Sequence, residues 1–142
     1  MTLERQLVVL AGMPSGLFDQ AVTYLADIMR ECQLILVDRV ADHDPELIGL
    51  AEALVPDLEE VGELFRKGRH EMAGDQVSLE LDLHAGHLGT LVHLQMHLVQ
   101  LRYLARRGTL LVASDPNVSK LLAWIWDETA DQLHGRQPHR YG

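Results

Sequence analysis

The chain has 142 residues, 47% of them hydrophobic, with a formal net charge of −9 from 21 acids and 12 bases. That length suits one domain, read here as residues 1–135, and the apolar fraction excludes a mainly disordered protein. A single cysteine, Cys32, excludes an internal disulfide and any zinc site built on several cysteines. The acidity is uneven: residues 1–74 hold 14 acids against 6 bases, and residues 75–142 hold 7 against 6. An acidic surface repels phosphate backbones and anionic lipid, so neither nucleic acid nor a membrane surface is expected as a partner. No apolar run is long enough for a membrane span, and the start MTLERQLVVL lacks a secretory pattern, so a cytoplasmic protein is expected.

Residues 6–11 (QLVVLA) are short, apolar and β-branched in the middle. They predict a buried strand, with a helical turn as the alternative, ending at the punctuated turn Gly12-Met13-Pro14-Ser15-Gly16. A helix capped by Ser15 then runs to about Ala41, with Phe18, Val22, Leu25, Met29, Cys32, Ile35 or Leu36, and Val40 on one broad apolar face. Asp44-Pro45 restarts the chain as cap and first helical residue. The second helix carries Leu47, Ile48, Leu50, Ala51, Leu54, Leu58, Val61, Leu64 and Phe65. Pro56 predicts a kink or restart at Val55, and the basic stretch Arg66–His70 reads as the helix end. The two helices are expected to form an antiparallel hairpin.

Past Gly74-Asp75, Val77, Leu79, Leu81 and Leu83 alternate with Ser78, Glu80 and Asp82, the clearest strand pattern in the chain. It fits an antiparallel or edge strand. A third helix follows His84-Ala85-Gly86 and ends near Arg106-Arg107-Gly108. Its Leu88, Leu91, Leu94, Leu98, Leu101 and Ala105 make one stripe, and Val92, Met96, Val99 and Tyr103 a second beside it. Residues 109–113 (TLLVA) are a further strand candidate. Ser114-Asp115-Pro116 opens a last helix that Gly135 stops, with Val118, Leu121, Leu122, Ile125 and Leu133 inward. Residues 136–142 read as a flexible tail. The whole predicts a helix-dominated α+β fold, a long helix hairpin plus two further helices around a small sheet of short strands; an all-α bundle is the alternative.

Four histidines, His84, His87, His93 and His97, crowd into a short stretch. His93 and His97 are four apart and share a helix face, as two ligands of one divalent transition metal would. His87, however, falls about 120° from His93 on the helical wheel, and no acid lies between positions 83 and 114. The reading favoured is that His93, His97 and Gln100 form the polar side of a mostly buried helix. The glycine turn at Gly12 lacks the nucleotide-binding patterns and reads as a tight turn with a serine cap. Cys32 sits mid-helix as packing, the serines lack a nucleophile context, and Glu59 and Glu60 read as solvated acids. No catalytic residue and no cofactor is assigned.

The second stripe gives the leading functional expectation. One helix of a small domain has limited room to bury two apolar stripes, and homodimerisation would cover the surplus. Trp124 and Trp126 lie about 160° apart on their helix, so both cannot face one core. The expected surface is Val92, Met96, Val99, Tyr103, Trp124 and Trp126, in a non-enzymatic regulatory or protein-interaction domain that pairs with itself or with a protein partner. A metal- or small-ligand-binding sensor built on the four histidines is the alternative.

Overall fold

A computed structural model describes residues 5–37, 45–106 and 115–142. The expected helix end at Ala41, the Asp44 cap, the Gly108 stop, the strand at 109–113 and the Ser114 cap lie outside them.

Strand β1 (Arg5–Pro14) is longer than the apolar run that announces it. The expected turn at Gly12 is a β-bulge: the pairing with the next strand shifts between Leu10 and Met13, and Gly12 has φ +79°. One extra residue lets Leu10 and Met13 both face the core although they are three apart, and a glycine accepts the left-handed backbone that such a bulge needs. Helix α1 (Ser15–Val37) follows directly, and the Ser15 N–H donates to the carbonyl of Asp75 at 2.9 Å.

Helix α2 (Pro45–Lys67) buries Leu47, Leu50, Ala51, Leu54, Leu58, Val61 and Phe65 at helical spacing. It runs unbroken through Pro56, contrary to the expected restart. Pro56 sits on the exposed face, so its ring meets solvent while the packed face on either side holds the turn together. The Phe18 and Phe65 rings lie 6.0 Å apart, which sets the start of α1 against the end of α2 and makes the pair antiparallel.

Arg69 and His70, expected at a basic helix end, instead open strand β2 (Arg69–Ala73). All five of its residues are exposed, so it carries no alternating apolar signal for sequence reasoning to detect. It pairs antiparallel with β3 (Gln76–His84) through the two-residue loop Gly74-Asp75. Gly74 has φ +64°, the backbone that such a hairpin requires at the first loop position. In β3, Val77, Leu79, Leu81 and Leu83 are buried as their alternation predicts. The sheet order is β1-β3-β2, so β3 is the central strand and not an edge.

Helix α3 (Gly86–Arg106) buries Leu91, Leu94, Leu98 and Leu101. Helix α4 (Pro116–Leu133) starts as expected, the Asp115 carboxylate accepting from the Asn117 N–H at 2.7 Å with Pro116 at the first helical position. Gly135, at φ +87°, ends it. Among the described residues, four helices and three antiparallel strands make a helix-dominated α+β fold, which removes the all-α alternative.

The outer edge of β1 is covered. The Gln132 side chain on α4 accepts from the Val9 N–H at 2.9 Å and donates to the Val9 carbonyl at 2.7 Å, replacing the partner strand that an edge lacks. Two residues on, the Tyr141 N–H donates to the Ala11 carbonyl at 2.9 Å. Residues 136–142, expected as a free tail, thus return along β1. Tyr141 packs edge-on against Trp124, and the Arg140 guanidinium donates to Gln76 at 2.7 Å. The His139 N–H meets the buried Glu128 carboxylate at 2.9 Å. Aromatic packing and polar closure hold the segment, and its mostly polar sequence carries no periodicity that announces them.

Candidate functional site

The second apolar stripe of α3 is on the surface. Val92 is 45% exposed, Met96 56%, Val99 63% and Tyr103 61%. Their spacing is four, three and four, the pattern of the core positions of a coiled coil over about 16 Å of helix. The helix carries no Asp or Glu, although the chain as a whole carries 21. Two polar atoms beside the seam, His97 Nδ1 and Arg102 Nε, are buried and meet no hydrogen-bond partner among the described residues.

The tryptophans do not join that stripe. Trp126 is 3% exposed and stacks on Phe65 at 6.5 Å, so it belongs to the core of its own chain. Trp124 is half-buried, its ring 5.1 Å from that of Tyr141. The two rings lie on different sides of their helix, as their spacing predicts, and the returning C-terminal segment covers part of the outer one.

The four histidines form two pairs. The His84 and His87 rings stack 4.0 Å apart at the entry to α3. The His84 N–H donates to His87 Nδ1 at 3.1 Å and the Gly86 N–H to His84 Nδ1 at 3.0 Å, so both imidazoles act as caps for the turn. His93 and His97 lie one turn apart with ring centres 6.4 Å from each other. Among the described residues no three His, Cys, Asp or Glu side chains converge as a metal ion would need. Facing this helix, Asp57 on α2 has its carboxyl pushed above the usual range by burial, with the His97 and His93 imidazoles pulling the other way.

Glu60, read as a solvated acid, is half-buried between α2 and α3. It accepts from the Thr90 hydroxyl at 2.8 Å and lies 3.7 Å from His87 Nε2. Desolvation, and then the neighbouring His84, hold His87 below the ordinary imidazole range, with Glu60 opposing and Arg5 adding to the depression. The folded chain therefore prefers neutral His87. The stability this contributes is fully present above the unfolded pKa of about 6.5 and is lost as pH falls from there towards the lower folded value. Thermal unfolding between about pH 7.5 and pH 5.5 is expected to lose more stability in the wild type than in His87→Gln. Equal losses would show that His87 does not titrate with folding.

Two concavities adjoin these elements. A polar cleft of about 600 Å³ opens between α2 and the β3–α3 turn, lined by Arg5, Glu60, Lys67, Asp82, His84 and His87. Its cations are already partnered: Arg5 lies 3.5 Å from Asp82, and Lys67 3.4 Å from Glu63. An apolar groove of about 540 Å³ lies between the start of α1 and the end of α2, floored by Phe18, Leu25 and Phe65 and rimmed by Val22, Glu59 and His70. Sequence reasoning missed it, since Val22 reads as a core position on its helix, whereas the position is 40% exposed and lines the groove.

Comparison with family profiles, with curated proteins and with solved structures finds no match. The surfaces of the chain alone carry the functional reading.

Neither sequence candidate for nucleophile or anion binding gathers chemistry around it. Gly12 is occupied by the strand bulge, with the Arg140 guanidinium 3.3 Å from where a side chain would begin. Cys32 is 1% exposed, and burial, with Glu31 adding, pushes its thiol up to about 11. A thiol so protonated is a poor nucleophile. Thiol-labelling reagents at neutral pH are expected to leave the native chain unmodified and to react on unfolding. Fast stoichiometric labelling of the native chain would contradict this.

Proposed function

We propose that the protein is a non-enzymatic interaction domain that pairs with a second copy of itself through the outer face of α3. The observation that carries this reading is the exposed seam Val92, Met96, Val99 and Tyr103 at coiled-coil spacing. Isolated apolar side chains are ordinary on a surface, but a continuous row at that spacing is the arrangement a second helix fits. The seam also suits its own copy. In an antiparallel pair, Val92 lies opposite the partner's Tyr103 and Met96 opposite the partner's Val99, so a single two-fold axis satisfies all four residues.

Charge supports the same face. A chain of net charge −9 repels its copy over most of its surface, and α3 presents no carboxylate to that contact. The reading leaves no place for a four-histidine metal centre, since the histidines lie in two pairs. Sedimentation equilibrium and native mass spectrometry of untagged protein test it. A dimer that dissociates on dilution, without bound metal, is the expected result. A monomer at high micromolar concentration would overturn the reading.

A further inference from the structure

The two edges of the sheet differ. On β1, Val9 and Ala11 turn their outward backbone groups to Gln132 and Tyr141. On β2, a two-residue loop makes Ala73 and Gln76 a hydrogen-bonded pair, so Glu71 and Arg69 also bond inward to β3. His70 and Met72 therefore turn their N–H and C=O groups outward, and among the described residues no hydrogen bond reaches them. The same parity fixes the side chains. His70 and Met72 lie opposite Leu79 and Val77, on the face that packs against the helices. Leu79 and Val77 are buried, yet Met72 is 63% exposed, because the helical layer stops short of β2. In the gap lies the apolar groove, with His70 on its rim and the Phe18 ring 6.2 Å from His70.

We propose that this edge and groove together form a docking site for an added strand: an extended segment of a partner protein, with a bulky apolar side chain and a Lys or Arg two positions from it, on the same face. The backbone of the added strand pairs with His70 and Met72. Its alternate side chains then fall on the groove side, where one large apolar group fills the space over Phe18, Leu25 and Phe65. Short edge strands are normally protected by charge, and here Arg69 and Glu71 provide it. Those charges lie on the opposite face of the sheet and leave the groove side open. The groove also carries Arg66 and Glu63, which pair with each other, so its remaining charge is Glu59, which forms no ion pair among the described residues and gives the basic preference. The site shares no residue with the α3 seam and does not depend on it.

The test uses the full chain and a blocked peptide, Thr-Lys-Thr-Phe-Thr-Lys-Thr, which puts both Lys on the face of the Phe. Two twins accompany it, one with Glu for every Lys and one N-methylated on alternate residues to remove edge donors. Binding is followed by amide and methyl chemical shifts. Saturable binding is expected, with shifts at His70, Met72 and the groove. The acidic twin should bind at least about fivefold more weakly, and the N-methylated twin should not bind. Met72→Pro removes an outward donor without touching a bond to β3, so it should keep the fold and lose the peptide. Should that variant unfold, Val22→Glu closes the groove from an exposed position and should also lose the peptide. Equal binding of the N-methylated twin, shifts mapping to the α3 seam, or no saturation below about millimolar peptide would each overturn the proposal.

Discussion

Replacing Trp126 with alanine is expected to lower the unfolding free energy by about 3–5 kcal/mol, the usual range for emptying a fully buried large aromatic position. The side chain is 3% exposed and lies nearly parallel to the Phe65 ring, which in turn contacts Phe18. Trp126 thus joins α4 to α2 and, through Phe65, to α1. Its loss leaves a cavity beside the Phe65 ring, where α4 meets α2. Urea unfolding followed by far-ultraviolet circular dichroism reads the change as a lower midpoint at unchanged slope. An unaltered midpoint with weakened self-association would mean that the ring serves an intermolecular contact. Trp124→Ala should be milder, near 1–2 kcal/mol, because that ring is half-buried and its principal aromatic contact is Tyr141 on the C-terminal segment.

The contrast between the two tryptophans shows what the sequence holds and what it leaves open. Periodicity reports which residues share a face. It made the buried faces of α2 and α3 legible, along with the inward row of β3; on α1 it found Phe18, Leu25 and Cys32 but added the exposed Val22 and missed Tyr24 and Ile28. Capping chemistry located the start of α4 at Asp115-Pro116 and its end at Gly135. Periodicity does not report what covers a face. Trp124 reads as surplus because its cover, Tyr141, comes from a segment with no pattern of its own. β2 is silent for a related reason: an edge strand exposed on all its residues has no apolar alternation, and only its neighbour's register creates it. Gly12 carried a true signal of unusual backbone, but a bulge and a turn draw on the same residue type. The histidines show the limit for sites. Close spacing in sequence suggested one cluster, while the turn into α3 spends His84 and His87 on backbone capping and leaves His93 and His97 on the helix beyond.

Substituting Met96 and Tyr103 together with aspartate is expected to abolish self-association while leaving the chain folded. Both positions are more than half exposed, so the substitutions remove little buried area within a chain, and the change in its unfolding free energy should stay within about 0.5 kcal/mol per site. In the antiparallel pair, the two changes put four carboxylates into one apolar seam. Each must lose hydration there and face like charges with no cation opposite, a penalty of several kcal/mol per buried ion. The flanking residues His93, Gln95, Gln100 and Arg102 cannot offset it, since they hold one fixed positive charge per chain. Val99→Ala alone should weaken the pair without abolishing it, because it trims apolar contact and introduces no charge. Sedimentation equilibrium at matched concentration separates the cases: a dimer for the wild type, a weaker dimer for Val99→Ala and a monomer for the double aspartate chain. A dimer that survives both aspartates would move the contact to another face.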